Sequence, residues 1–93
     1  MIRKVIEVID GNTFRVSSPW KWNHQKGDRI RPTGYDTPEK GRRGYQTAKK
    51  KLKELILGKK VELKNPIKTT YNRLLCDVYI NLASSFPEYK KNN

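Results

Sequence analysis

A chain of 93 residues is one domain's length, and folding at this size hides roughly 60 to 65% of the surface of the unfolded form. Lysine and arginine total 21 against 9 aspartates and glutamates, a formal charge of +12, which calls for a polyanionic partner and favours nucleic acid over an acidic protein or a membrane surface. One cysteine, Cys76, excludes an internal disulfide, and no apolar run approaches the roughly 20 residues that cross a bilayer.

The opening segment MIRKVIEVID interrupts its apolar residues with Arg3, Lys4 and Glu7. It therefore has no apolar stretch for a secretory signal, and a cytoplasmic location is the expectation. Residues 2 to 9 and 13 to 17 are rich in β-branched and aromatic side chains and flank Asp10, Gly11 and Asn12, predicting two antiparallel strands joined by a tight turn. In the second strand Phe14 and Val16 share one face, Thr13 and Arg15 the other. The stretch from Ser17 to Asp28, SSPWKWNHQKGD, reads as a loop or hairpin tip. A third strand resumes at Asp28 and contains Pro32, which has no amide proton for a ladder, so an edge position or a bulge is expected there.

Tyr45, Ala48, Leu52, Leu55 and Ile56 recur at helical spacing, predicting a helix over residues 45 to 57 with lysines on its opposite face and Gly58 as its stop. Val61 and Leu63 alternate with Glu62 and Lys64 as a fourth strand that Asn65-Pro66 breaks, and residues 73 to 80 form a fifth. The closing segment NLASSFPEYKKNN has no period and reads as a tail. Three strands, one helix and two strands make a single domain over residues 1–93. This is the order of a five-stranded oligonucleotide-binding (OB) barrel with its helix between strands three and four.

Some features carry two readings at this stage. Trp20 and Trp22 alternate with Lys21, the composition of a base-stacking platform and equally of a hydrophobic cover for one end of a small barrel. The stretch from Lys40 to Lys60 holds nine lysines and arginines against one acid, Glu54, either a solvated helix face or a guide for a nucleic-acid backbone. His24 and Cys76 carry no chemical assignment.

Four blocks then line up. Ile9-Asp10-Gly11-Asn12-Thr13-Phe14, Arg31-Pro32-Thr33-Gly34-Tyr35-Asp36-Thr37-Pro38-Glu39, residues Leu52 to Val61, and Tyr71-Asn72-Arg73-Leu74-Leu75 resemble, in order and with similar spacing, the blocks of the staphylococcal nuclease (thermonuclease) family. The resemblance implies a calcium-dependent phosphodiesterase that hydrolyses DNA and RNA with low base selectivity, built on an OB barrel, acting on single strands as a monomer. It implies that Arg31 and Arg73 grip the scissile phosphate, that Glu39 is the general base, and that Asp36 and the Thr37 carbonyl ligate Ca2+. Asn12 stands where the family has a further ligand aspartate, Asp10 matches an acid behind the metal shell, and Tyr71 matches a tyrosine near the bound nucleotide.

The chemistry is coherent. A phosphodiester gathers negative charge on its oxygens as it reacts, and paired guanidinium donors with a hard cation are suited to stabilise it. Calcium takes six to eight oxygen ligands, of which these residues supply a part, leaving room for phosphate and water. The substitution at Asn12 removes one formal charge from that set, and the alternative expectation is an OB barrel that binds nucleic acid with weakened catalysis.

Overall fold

Strands β1 (Ile2–Asp10) and β2 (Thr13–Trp22) open the computed structural model, which describes residues 1–34 and 40–80. They pair antiparallel, with Val5 opposite Val16, Val8 opposite Phe14 and Asp10 opposite Thr13, so Gly11 and Asn12 make the turn. A register shift between Val5 and Glu7 lets Val5 and Val8 both reach the interior although they are three apart, an odd spacing that an unbroken strand sends to opposite faces.

Strand β3 (Gln25–Pro32) continues directly from β2. The stretch from Ser17 to Asp28 is therefore mostly strand, which corrects the loop alternative, while the hairpin-tip alternative holds at its centre. Only Asn23 and His24, at φ 52° and 65°, turn the chain, the pair of left-handed residues that a two-residue hairpin needs. The strand is hard to see in the sequence because Ser17, Ser18 and Pro19 are exposed at a register shift, which breaks the alternation between Val16 and Trp20. Pro32 is the last residue of β3, opposite Cys76 of β5. Strand β3 is flanked on both sides, so its proline is tolerated at a strand end and not at a sheet edge.

Helix α1 (Tyr45–Ile56) buries Leu52 and Ile56. Gly58, at φ 79°, takes the left-handed conformation that ends a helix without a side-chain penalty. The chain beyond it is tied to β1: the Gly58 amide donates to the Val5 carbonyl and the Val5 amide to the Lys59 carbonyl, both at 2.9 Å.

Strands β4 (Lys60–Thr70) and β5 (Arg73–Ile80) complete the sheet. Asn65-Pro66 does not end β4, contrary to expectation. A bulge between the Lys64–Asp77 and Lys68–Leu75 pairs absorbs both residues, and Asn65 takes φ 53° to do so. The five strands close in the order β1-β2-β3-β5-β4, with β3 and β5 parallel and every other pair antiparallel.

This is a closed, OB-like barrel. Its interior is filled by alternate residues of each strand, among them Phe14, Trp20, Ile30, Val61, Leu74 and Val78, and α1 adds Leu52 and Ile56. Cys76 belongs to the same core, where burial pushes its thiol up to about 12, so it stays protonated and unreactive at neutral pH. No described helix is long and apolar enough to cross a membrane. The segment expected as a tail lies outside the described residues.

Candidate phosphate-binding groove

Strand alternation decides which side chains face outward. In β5, Leu74, Cys76 and Val78 point into the barrel, so Arg73, Leu75 and Asp77 point out. Parallel pairing sets Arg29 beside Arg73 and Arg31 beside Leu75, while on the other flank Thr70 faces Arg73 and Lys68 faces Leu75. Arg31, Lys68, Thr70, Arg73 and Leu75 consequently line one groove of about 510 Å³, completed by Pro32, Thr33, Gly34 and Ile67. The described lining carries three cationic side chains and no acid.

Arg73 is held in place from two strands. Its Nε donates to the Thr70 carbonyl at 3.2 Å and its Nη1 to the Thr13 hydroxyl at 3.3 Å. Thr13, 2% exposed, donates in turn to Asn12 Oδ1 at 3.1 Å. The Asn12 backbone N–H donates to Asp10 Oδ1 at 2.9 Å, the two-residue loop closure by which an aspartate holds its own turn. Asp10, Asn12, Thr13 and Arg73 thus form one hydrogen-bonded chain from the β1–β2 turn to the groove.

The β4–β5 turn consists of Tyr71 and Asn72, at φ 51° and 64°. A left-handed tyrosine is uncommon and costs about 1–3 kcal/mol. Its ring is 85% exposed and lies under Arg73, with the guanidinium carbon 5.8 Å from the ring centroid, a cation–π distance.

The opposite wall is braced by Asp77, which accepts the Thr33 hydroxyl on one oxygen and the Asn65 amide on the other, the latter at 2.9 Å. These two hydrogen bonds, Thr33 first, hold the Asp77 carboxyl below its usual range. Thr33 directly follows β3 and Asn65 opens the β4 bulge, so one carboxylate joins both flanks of the groove.

The structure brings Arg31 and Arg73 to one groove, with the Asn12 turn hydrogen-bonded to its edge. Asp36, Thr37 and Glu39 lie outside the described residues. Among the described residues, no three of His, Cys, Asp or Glu cluster to hold a metal ion. The oxygens at the turn, from Asp10, Asn12 and Thr13, are of the hard type that calcium accepts. The sequence reading missed Lys68, Thr70 and Thr13. The first two were hidden by ending β4 at Asn65-Pro66. The third reads in the sequence only as a strand residue, because nothing local shows that its hydroxyl meets an arginine 60 residues away.

Fold and groove together define a class, an OB-like barrel with a cationic outer groove between β3, β5 and β4. No protein-family model matches the chain, and no curated protein matches it.

Proposed function

We propose that the chain is a calcium-dependent nuclease of the staphylococcal nuclease type that hydrolyses phosphodiester bonds of single-stranded DNA or RNA with little base selectivity. The observation that carries this reading is the convergence of Arg31 and Arg73 on one groove, with Arg73 tied through Thr13 to the turn of Asn12. Two guanidiniums on one groove present paired donors to a phosphate, and the contacts to the Thr70 carbonyl and the Thr13 hydroxyl hold one of them before substrate arrives.

In this reading Asn12, Asp36 and the Thr37 carbonyl hold calcium. Calcium held there would supply charge neutralisation and Lewis-acid polarisation of the phosphate. Glu39 accepts or orients a proton of the attacking water. Arg31 and Arg73 take the charge that develops on the phosphoryl oxygens, and Tyr71 supports the nucleotide beside Arg73. Base selectivity is low in this reading because the guanidiniums and Lys68 are assigned to the phosphates, which carry no sequence information.

One observation favours a second reading. Asn12 is neutral and its Oδ1 already accepts the Thr13 hydroxyl, which weakens it as a calcium ligand and fits a barrel that binds nucleic acid without efficient hydrolysis. Incubating the pure protein with single-stranded DNA and RNA, with calcium or with a chelator, separates the two. Cleavage that a chelator abolishes supports the nuclease. Binding without cleavage supports the second reading, and neither binding nor cleavage overturns both.

A further inference from the structure

The two tryptophans have different fates. Trp20 is 1% exposed within the core, its indole donating to the Arg29 carbonyl at 2.9 Å. Trp22 is only partly buried, at the last position of β2 before the Asn23-His24 turn. It borders a second, open depression of about 460 Å³ made entirely by the hairpin tip, with Lys21, Asn23, His24, Gln25 and Lys26. From Ser17 to Gly27 the chain has no acid, and the next one, Asp28, is engaged by Arg15 at 2.9 Å. The tip thus carries a partly buried indole on one face and, on the other, Lys21 and Lys26 paired across the two strands at the rim of the same depression, with no acid of its own.

The tip also adjoins the groove. Gln25 Oε1 accepts the Thr69 hydroxyl at 2.8 Å, which ties the tip to β4 at the rung between groove residues Lys68 and Thr70, with Thr69 itself on the other face, opposite the buried Leu74. On the next rung, a methyl group at Gly27 would sit 3.5 Å from the Asn72 carbonyl oxygen, so the turn bearing Tyr71 packs beside the root of the hairpin. Stacking needs a rigid, partly open aromatic face with cations nearby, and it tolerates any base.

We propose that Trp22 is a second base-stacking position, where a single-stranded nucleic acid leaving the groove past Tyr71 stacks a base on the indole while Lys21 and Lys26 neutralise its phosphates. This rests on the groove binding the phosphodiester backbone, and it adds a contact that only a strand longer than the groove can make.

The test measures binding in chelator, so that nothing is cut, of a short oligothymidylate of about four nucleotides and a long one of about twelve. The long strand should bind the parent more tightly and quench its tryptophan fluorescence. Trp22→Ala should weaken the long strand about tenfold, leave the short one unchanged and abolish the quench, whereas Trp22→Phe should retain most of the affinity. Lys21→Glu with Lys26→Glu, both exposed, should reproduce the selective loss without touching the core. If the parent binds both lengths and all these variants match it, or lose both lengths equally, the Trp22 site is overturned while the groove stands. If the parent binds neither length, the groove reading fails, and this inference with it.

Discussion

Arg73 touches Thr70, Thr13 and the Tyr71 ring at once, so its guanidinium is oriented before any substrate binds. Replacing it with alanine removes a preorganised donor pair. Turnover should fall by at least about a hundredfold, as it should in Glu39→Gln, with the melting temperature of both variants close to the parent's. Parent-like rates in both would dismiss these roles whatever the fold does. Arg73→Lys keeps the charge but loses the fork, and should recover only a small part of the rate. Asn12 separates the nuclease from the binding module. Its Oδ1 accepts a hydrogen bond from Thr13, and a carboxylate keeps that bond while adding a charge. Asn12→Asp should lower the calcium concentration for half-maximal cleavage, a tenfold shift corresponding to about 1.4 kcal/mol. An inert parent rescued by this substitution identifies a binding module one residue from activity, and an inert pair that still binds nucleic acid leaves the barrel without the chemistry.

The β2–β3 hairpin has a tight contact at Gly27. A methyl group on Gly27 would lie 2.8 Å from Trp20 Cζ2 and 3.3 Å from Cε2, and the ring has no room to retreat inside the core. Gly27→Ala should therefore lower stability by about 1–3 kcal/mol, read as a shift in urea midpoint. The β3–β5–β4 side makes a prediction about acid. Because hydrogen bonds lower the folded-state value of Asp77, the unfolded chain binds its proton first as the medium is acidified. The stabilisation is present above the ordinary carboxylate range, about pH 4, and is lost as pH falls through the lower folded value. Asp77→Asn should flatten the fall of stability below about pH 4, and an unchanged acid limb would count against the bracing role.

Much of these elements is legible in the sequence, since Val61 with Leu63, the apolar stripe of α1 and the Asp10–Asn12 turn follow simple periods. What is not legible is wherever a bulge resets the period: Ser17 to Pro19 in β2, and Asn65-Pro66 in β4. Those two places are also why Lys68 and Thr70, and the strands on either side of the hairpin tip, escape a reading by period. Arg31 and Arg73 were visible from their surrounding blocks, but no local pattern indicates that Thr13 joins Arg73 to the β1–β2 turn, a contact between residues 60 apart.

At the scale of the whole molecule the net charge of +12 supplies long-range attraction, while the groove sets how many phosphates are met closely. With Arg31, Lys68 and Arg73 as the near contacts, about three phosphates are neutralised, and a plot of log affinity against log salt for strands no longer than the groove should slope at about −2. Affinity that is flat in salt would remove nucleic acid as the partner. The closed barrel has a consequence of a different kind. Its first strand finds its second neighbour only in β4, where Ile2 faces Glu62 and the Met1 amino group bonds the Leu63 carbonyl. Loops this long are slow to close, which places refolding in the millisecond-to-second range of high-contact-order sheets. During synthesis β1, β2 and β3 emerge from the ribosome before either strand that seals them, so the nascent chain carries open edges, the surface on which misassembly begins, until residue 80 is clear of the tunnel.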